Sequence, residues 1–162
     1  MDKNEKLIDL MSDFSTAMLV TRSSDGALDA RPMAVAEVED NGCIWFVTDR
    51  NSGKVADLML DDEVAITMQS STQFATVSGR AEAVDDQEKV KELWSEAWKV
   101  WFPEGKNDPS ILLLKIQVER GEYWDQSGFR GVKYLLQAGK AYLQGDRPEK
   151  DESINATVNM NN

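Results

Sequence analysis

Thr48, Ser52 and Lys54, with Arg31-Pro32-Met33 upstream, are the residues best equipped for chemistry. Ile44-Trp45-Phe46-Val47-Thr48 reads as a strand, and Asp49-Arg50-Asn51-Ser52-Gly53-Lys54 as the loop that opens a helix. Two hydroxyls and an ammonium gather where the first amides of a helix point outward without partners, an arrangement that binds anions and above all phosphate. Lys54 in the first turn opposes the helix dipole by ~0.3–1 kcal/mol, and a bound anion reverses that sign. Arg31 beside Pro32 supplies a planar fork suited to an oxyanion. Two readings stand at this point. Either these groups cradle a phosphate, or Ser52 or Asn51 merely caps the helix, Asp57 offsets the charge and Lys54 is solvated.

Other chemistries are excluded by composition. The 162 residues contain no histidine, which removes Ser-His-Asp hydrolysis, Cys-His nucleophiles, His-ligated zinc and a histidine general base. A net charge of −11 repels nucleic acid and anionic lipid, so neither is expected as a partner. A local cationic group against that background stands out as a site. Cys43 is single, without an activating partner, and reads as structural. Asp61-Asp62-Glu63 lacks the ladder of a calcium loop and reads as a polar turn; no metal site is expected. No apolar run approaches the ~20 residues of a membrane span, and the first residues lack a signal-peptide layout, so the expected location is cytoplasmic.

The elements that must position these groups follow from periodicity and turn residues. Residues 2–12 read as an amphipathic helix with Leu7, Ile8, Leu10 and Met11 inward. Strands are expected over 17–21, 28–38, 44–48, 64–68, 74–84 and 111–118, the last continuing after a bend into Glu122-Tyr123-Trp124. Asp25-Gly26 and Asn41-Gly42 mark hairpin turns. Pro32 cannot donate to a ladder, so its strand must be an edge, bulged or open there. Helices are expected over 52–60, over 86–101 with Asp85 or Asp86 as cap, and over 132–143 until Gly145 ends the last one. Trp94, Trp98 and Trp101 then form a stripe suited to core or dimer packing. The polar stretch 144–162 reads as an unstructured tail beyond a domain spanning 1–143. Six strands in meander order with interposed helices point to a mainly β fold with flanking α, a six-stranded antiparallel split β-barrel.

Three stretches together resemble the FMN-binding split barrels of the pyridoxamine 5′-phosphate oxidase-like superfamily, specifically its general stress protein 26 group. Arg31-Pro32-Met33 is similar to the strand that runs along the isoalloxazine ring. Phe46-Val47-Thr48 with Ser52-Gly53-Lys54 is similar to the phosphate-binding strand and loop. Trp98-x-x-Trp101-Phe102-Pro103-Glu104-Gly105-Lys106-Asn107-Asp108-Pro109, followed by Glu122-Tyr123-Trp124-Asp125, is similar to a marker of the stress-protein branch.

The resemblance implies that Arg31, Thr48, Ser52 and Lys54 hold the FMN phosphate and ribityl chain, that Met33 and its backbone border the ring, and that Pro32 on the ring strand and Val47 on the phosphate strand also belong to the cofactor site. It also implies that Gln73 and Trp124 reach the flavin of a neighbouring subunit, hence a homodimer with flavin at the interface. A plain core role for Trp124 remains the alternative. The sequence departs from the oxidases themselves. Ala36 and Glu37 stand where they carry a substrate lysine, no histidine exists, and Gly53 replaces a second phosphate-loop cation.

The expected function is therefore an FMN-binding stress protein with flavin-dependent oxidoreductase activity toward a small electron donor or acceptor, not pyridoxamine phosphate oxidation. The alternative is a non-catalytic flavin-binding or sensing module, and FAD, a deazaflavin or haem are the alternative ligands. Haem is weakest, because its axial ligand would have to be Met, Tyr or Cys43. No catalytic residue is assigned; Tyr123 reads as a strand residue facing the core.

Overall fold

The computed structural model describes residues 1–145 and 151–161. Helix α1 (Lys3–Ser12) leads into β1 (Thr16–Arg22), β2 (Leu28–Val38), β3 (Ile44–Asp49), α2 (Gly53–Leu60), β4 (Glu63–Gln69) and β5 (Gln73–Val84). Then follow α3 (Gln87–Leu93), two short 3₁₀ turns (Glu96–Val100 and Gly105–Asn107), β6 (Ile111–Asp125), α4 (Gly128–Gln144) and β7 (Asn155–Asn159). Pairing runs β3-β2-β1-β4-β5-β6, all antiparallel, and a β3–β6 ladder closes those six strands into the expected barrel. Closure matters because it pairs β3 with β6, the two ends of the six-strand row, which would otherwise be free edges.

Local sequence explains most of these elements. Asp2 caps α1 in a capping box with Glu5, and Leu7, Leu10 and Met11 are buried against the barrel. Gly26 and Gly42 take φ of 87° and 84° at the two hairpin turns, the left-handed backbone that Asp-Gly and Asn-Gly turns require. Leu19, Phe46, Ile66, Val77 and Leu114 fill the barrel as the inward members of alternating strands. A second, outer core joins Trp45, Val47, Val90, Trp98, Phe102 and Leu113 beneath α3 and the segment after it.

β2 behaves as its proline demands. Residues 28–34 pair only with β1, while β3 begins to pair at Val35, and the register slips between Val35 and Glu37 so that Ala36 is extra. Pro32 therefore sits on an open strand side just before a bulge, where its missing N–H costs no ladder bond.

Gly79 marks a second bulge, opposite Glu119 of β6. A Cβ there would lie 2.0 Å from the Gln117 carbonyl oxygen, which is backbone and cannot yield cheaply. Gly79→Ala should lower stability by about 1–3 kcal/mol, read as a fall of several degrees in Tm. An unchanged melt would show that the β5–β6 ladder opens more easily than its geometry implies.

Two expectations are corrected. The helix expected over 86–101 ends at Leu93, because Trp94 turns extended (φ −51°, ψ 133°) and a 3₁₀ turn takes over. Asp86 is the cap, accepting from the amides of Glu88 and Lys89. The break lets Trp94 and Trp98 meet edge to face at 5.6 Å in the outer core.

The stretch read as an unstructured tail contains β7, whose register with β6 runs from Arg120↔Asn159 to Trp124↔Asn155. β7 occupies the side of β6 that β3 leaves after Ile116, and Ile154, Ala156 and Val158 are buried. Residues 146–150 lie outside the described residues. α4 starts four residues earlier than expected and ends at Gly145 (φ 74°), the left-handed cap the sequence signalled. Among the described residues no helix is long and apolar enough to cross a membrane.

Candidate functional site

The end of β3, the first turn of α2, the open part of β2 and the segment after α3 meet around a cavity of about 640 Å³. Pro32, Met33, Ala34, Val47, Thr48, Asp49, Lys54, Val100, Trp101 and Phe102 line it. Five of the residues expected from sequence (Pro32, Met33, Val47, Thr48 and Lys54) are thus in its wall.

Thr48, on the inward face of β3, is buried and accepts a hydrogen bond from Lys54 Nζ at 2.8 Å. The same ammonium reaches Ser52 Oγ at 3.2 Å. Ser52 occupies the N-cap position of α2, yet its hydroxyl makes no cap bond to the helix amides. The plain capping reading of Ser52 is therefore not what the structure holds; the hydroxyl serves the lysine instead.

Arg31 adjoins from β2. Its guanidinium donates to Thr21 Oγ1 at 2.7 Å and to the Leu19 carbonyl at 3.3 Å. It is close enough to Lys54 to act on its titration. Burial first, and then the Arg31 charge, hold the Lys54 ammonium below the ordinary lysine value, while Asp49 pulls the other way. Among the described residues neither Arg31 nor Lys54 has an ion pair with a carboxylate. Two neighbouring cations without an ion pair, in a chain of net charge −11, form a local positive site with unused capacity for an anion.

Gln73 and Trp124 are not brought here. They neighbour one another, since Gln73 pairs with Asp125 and Trp124 with Phe74, at the far end of β6 from Leu112, which pairs with Thr48. Tyr123 is buried, as expected, and its hydroxyl donates to the Glu152 carbonyl. Cys43 is buried too, and burial pushes its thiol up, in keeping with a structural role.

By sequence, Trp101 belongs to a packing stripe with Trp94 and Trp98, and Val100 and Phe102 are given no part in a cleft, so the share of all three in the cavity wall is the main residue-level addition. The signal was present in the Trp-Phe-Pro-Glu-Gly run, which is too irregular for a plain helix. Arg50 fixes this segment to the barrel. Its guanidinium donates to the Pro109 and Ile111 carbonyls at 2.8 and 3.1 Å and forms a two-bond fork with Asp85, both bonds 3.1 Å.

A six-stranded split barrel with a cationic cleft beside its β3–α2 loop defines a class, and sequence comparison agrees with it. The chain belongs to the pyridoxamine 5′-phosphate oxidase-like family, matching it over residues 2–149. It is similar to a Jannaschia sp. CCS1 structure carrying the general stress protein 26 designation, at 27% identity and a TM-score of 0.74 over 95% of this chain and 96% of that one.

It is also similar to the general stress FMN/FAD binding protein of Xanthomonas citri, at 29% identity and a TM-score of 0.66 over 77% and 89%. Protein bli-3 of Neurospora crassa is 31% identical over 135 residues; the match covers 74% of this chain and 65% of the length of that relative.

Proposed function

We propose that this chain binds FMN, with the phosphate between Arg31, Thr48, Ser52 and Lys54 and the ring along Pro32, Met33 and Val47. The observation that carries the reading is the Lys54 ammonium in the wall of a largely apolar cleft, with Arg31 close enough to act on its titration and, among the described residues, neither cation paired with a carboxylate. The residues fit a phosphorylated flavin: the Thr48 hydroxyl and Lys54 ammonium share the cavity wall, Ser52 is bonded to that ammonium and Arg31 lies near it, and 640 Å³ is within the range of a small-molecule site. The FMN/FAD binding of the Xanthomonas citri protein supports the same ligand class.

A bound flavin supplies electron transfer between a small donor and acceptor, and the chain supplies binding, orientation and electrostatics. Thr48 and Lys54 fix the phosphate, and Met33 and Val47 border an apolar compartment that limits water. Pyridoxamine phosphate is not the proposed substrate, because Ala36 and Glu37 stand where the oxidases carry a lysine and the chain has no histidine. Cytoplasmic flavin-dependent oxidoreduction in a stress response is the function proposed.

One observation favours a second reading, a non-catalytic flavin carrier or sensor. Asp49 and Lys54 are the titratable residues of the cavity wall, and Asp49 already accepts from the Asn51 amide while Lys54 is bonded to Thr48 and Ser52, so among the described residues no titratable wall side chain stands unengaged to move a proton. Reconstituted protein should be yellow and release a chromophore with the mass of FMN rather than FAD. Steady bleaching by NADPH or NADH with turnover on an acceptor selects the enzyme; a stable yellow protein inert to both selects the carrier. A colourless protein after reconstitution removes both.

A homodimer is part of the proposal. Gln73 and Trp124 sit away from the cleft of their own chain, and α4 leaves Val132, Leu135, Leu136, Tyr142 and Leu143 exposed on one element. Covering such a surface is what a second copy offers. Sedimentation of the flavin-loaded protein should give twice the mass of one chain. A monomer with full flavin occupancy would defeat the dimer.

A further inference from the structure

We propose that Trp101 is the stacking wall for the flat ring of the ligand in this cleft, a binding residue contributed by the segment between α3 and β6. The inference rests on the FMN reading and adds to it the group that grips the ring.

The cleft wall holds two kinds of group. Thr48, Asp49 and Lys54 are polar or charged; Pro32, Met33, Val100, Trp101 and Phe102 are apolar or aromatic. Three tryptophans lie close together in this segment, and they are used differently. Trp98 is buried in the outer core and Trp94 packs edge to face against it. Trp101 is 63% exposed although its neighbour Phe102 is buried. An indole of this size in the wall of the cleft offers a broad exposed π-face, and among the described residues no ring or cation–π contact occupies it.

The segment is also held rigidly, so the ring needs no sweep to reach its place. Both the Trp101 and Phe102 amides donate to the Trp98 carbonyl at 2.9 Å. Phe102 roots the turn in the outer core. Further along, Asp108 accepts from the Ser110 amide and hydroxyl at 3.0 and 2.7 Å, and Arg50 ties Pro109 and Ile111 to the end of β3. β3 carries Thr48, so Thr48 and Trp101 are fixed to one frame. Their spacing is set before a ligand arrives, which favours one elongated ligand with an anionic tail and a planar apolar head. A stacked face adds grip without reading hydrogen-bond pattern, as aromatic platforms do for nucleic-acid bases.

The test uses the full chain, wild type, Trp101→Ala and Trp101→Phe, each titrated with FMN, riboflavin and inorganic phosphate. Trp101→Ala should weaken FMN and riboflavin by the same factor, about tenfold or more by analogy with base stacking, and leave phosphate affinity unchanged. Trp101→Phe should recover most of the affinity. Indole in contact with an excited flavin quenches it, so bound flavin should brighten in both variants. The large exposure of Trp101 means that the variants should melt with the wild type. Unchanged flavin affinity and brightness in Trp101→Ala would overturn the inference while leaving the FMN reading in place. Loss of affinity only together with loss of the dimer would overturn it too, by making Trp101 an interface residue. A wild-type chain that takes up no flavin removes both.

Discussion

Arg31→Ala and Lys54→Ala are each expected to weaken FMN binding by about 10- to 150-fold. A hydrogen bond to a charged group is worth about 1.5–3 kcal/mol, and each 1.4 kcal/mol is tenfold in affinity. Riboflavin, which lacks the phosphate, should bind both variants nearly as it binds the wild type. Lys54→Met, which keeps the stem and removes the charge, should behave like the alanine variant. Equal losses for FMN and riboflavin would mean that the two cations shape the cleft rather than hold a phosphate.

The titration of Lys54 adds a pH signature with a definite sign. Burial and Arg31 lower its folded pKa, so the unfolded chain holds that proton more tightly. Stability of the empty protein should therefore rise with pH across the window from the depressed folded value up to the ordinary lysine value. FMN affinity should move the other way and fall through the same window, because a bound dianion needs the charged ammonium. Thermal melts and titrations between neutral and alkaline pH would show both limbs, and Lys54→Met should flatten both.

The largest expected stability loss is at the opposite end of β6. Lys6 and Asp125 form an ion pair with side-chain exposures of 15% and 5%. The Asp125 carboxylate also accepts from the Ser127 amide and hydroxyl at the start of α4, and the Asp125 amide donates to the Ile154 carbonyl beside β7. One pair thus ties α1, α4 and β7 to the barrel. Lys6→Met leaves a nearly buried carboxylate without its cation, at a cost of about 3–5 kcal/mol, or about 6–20 °C in Tm for a chain of this size.

Burial acts to raise the Asp125 pKa, but the Lys6 and Ser127 bonds outweigh it and the net shift is downward. Its stabilising contribution is present above the unfolded carboxylate value and lost as pH falls through the folded one. In Lys6→Met the acid limb should move toward neutral. Lys6→Met with Asp125→Leu should recover much of the loss, since apolar replacement of a buried pair is often neutral. A Lys6→Met melt within a degree or two of wild type would mean that water reaches Asp125.

Sequence alone determined the parts of this protein that are local. Asp25-Gly26 and Asn41-Gly42 fixed two hairpins because only glycine takes the left-handed turn cheaply. Alternating apolar residues fixed the strands, and Pro32 fixed where β2 had to be open. Thr48, Ser52 and Lys54 were legible as a group because they lie within one turn of chain around a strand end and a helix start. Only the tertiary structure decided what depends on distant neighbours.

The strand β7 exists because Ala156 and Val158 find buried places beside β6, a gain invisible in a polar stretch read residue by residue. The tryptophan run reads as one helix by spacing, yet breaks at Trp94 because packing in the outer core outweighs the weak preferences of single residues. The break also leaves Trp101 facing the cleft. Side-chain periodicity records which residues want to be buried. Where burial is available is set by long-range strand pairing, and that register decides which residues share a site.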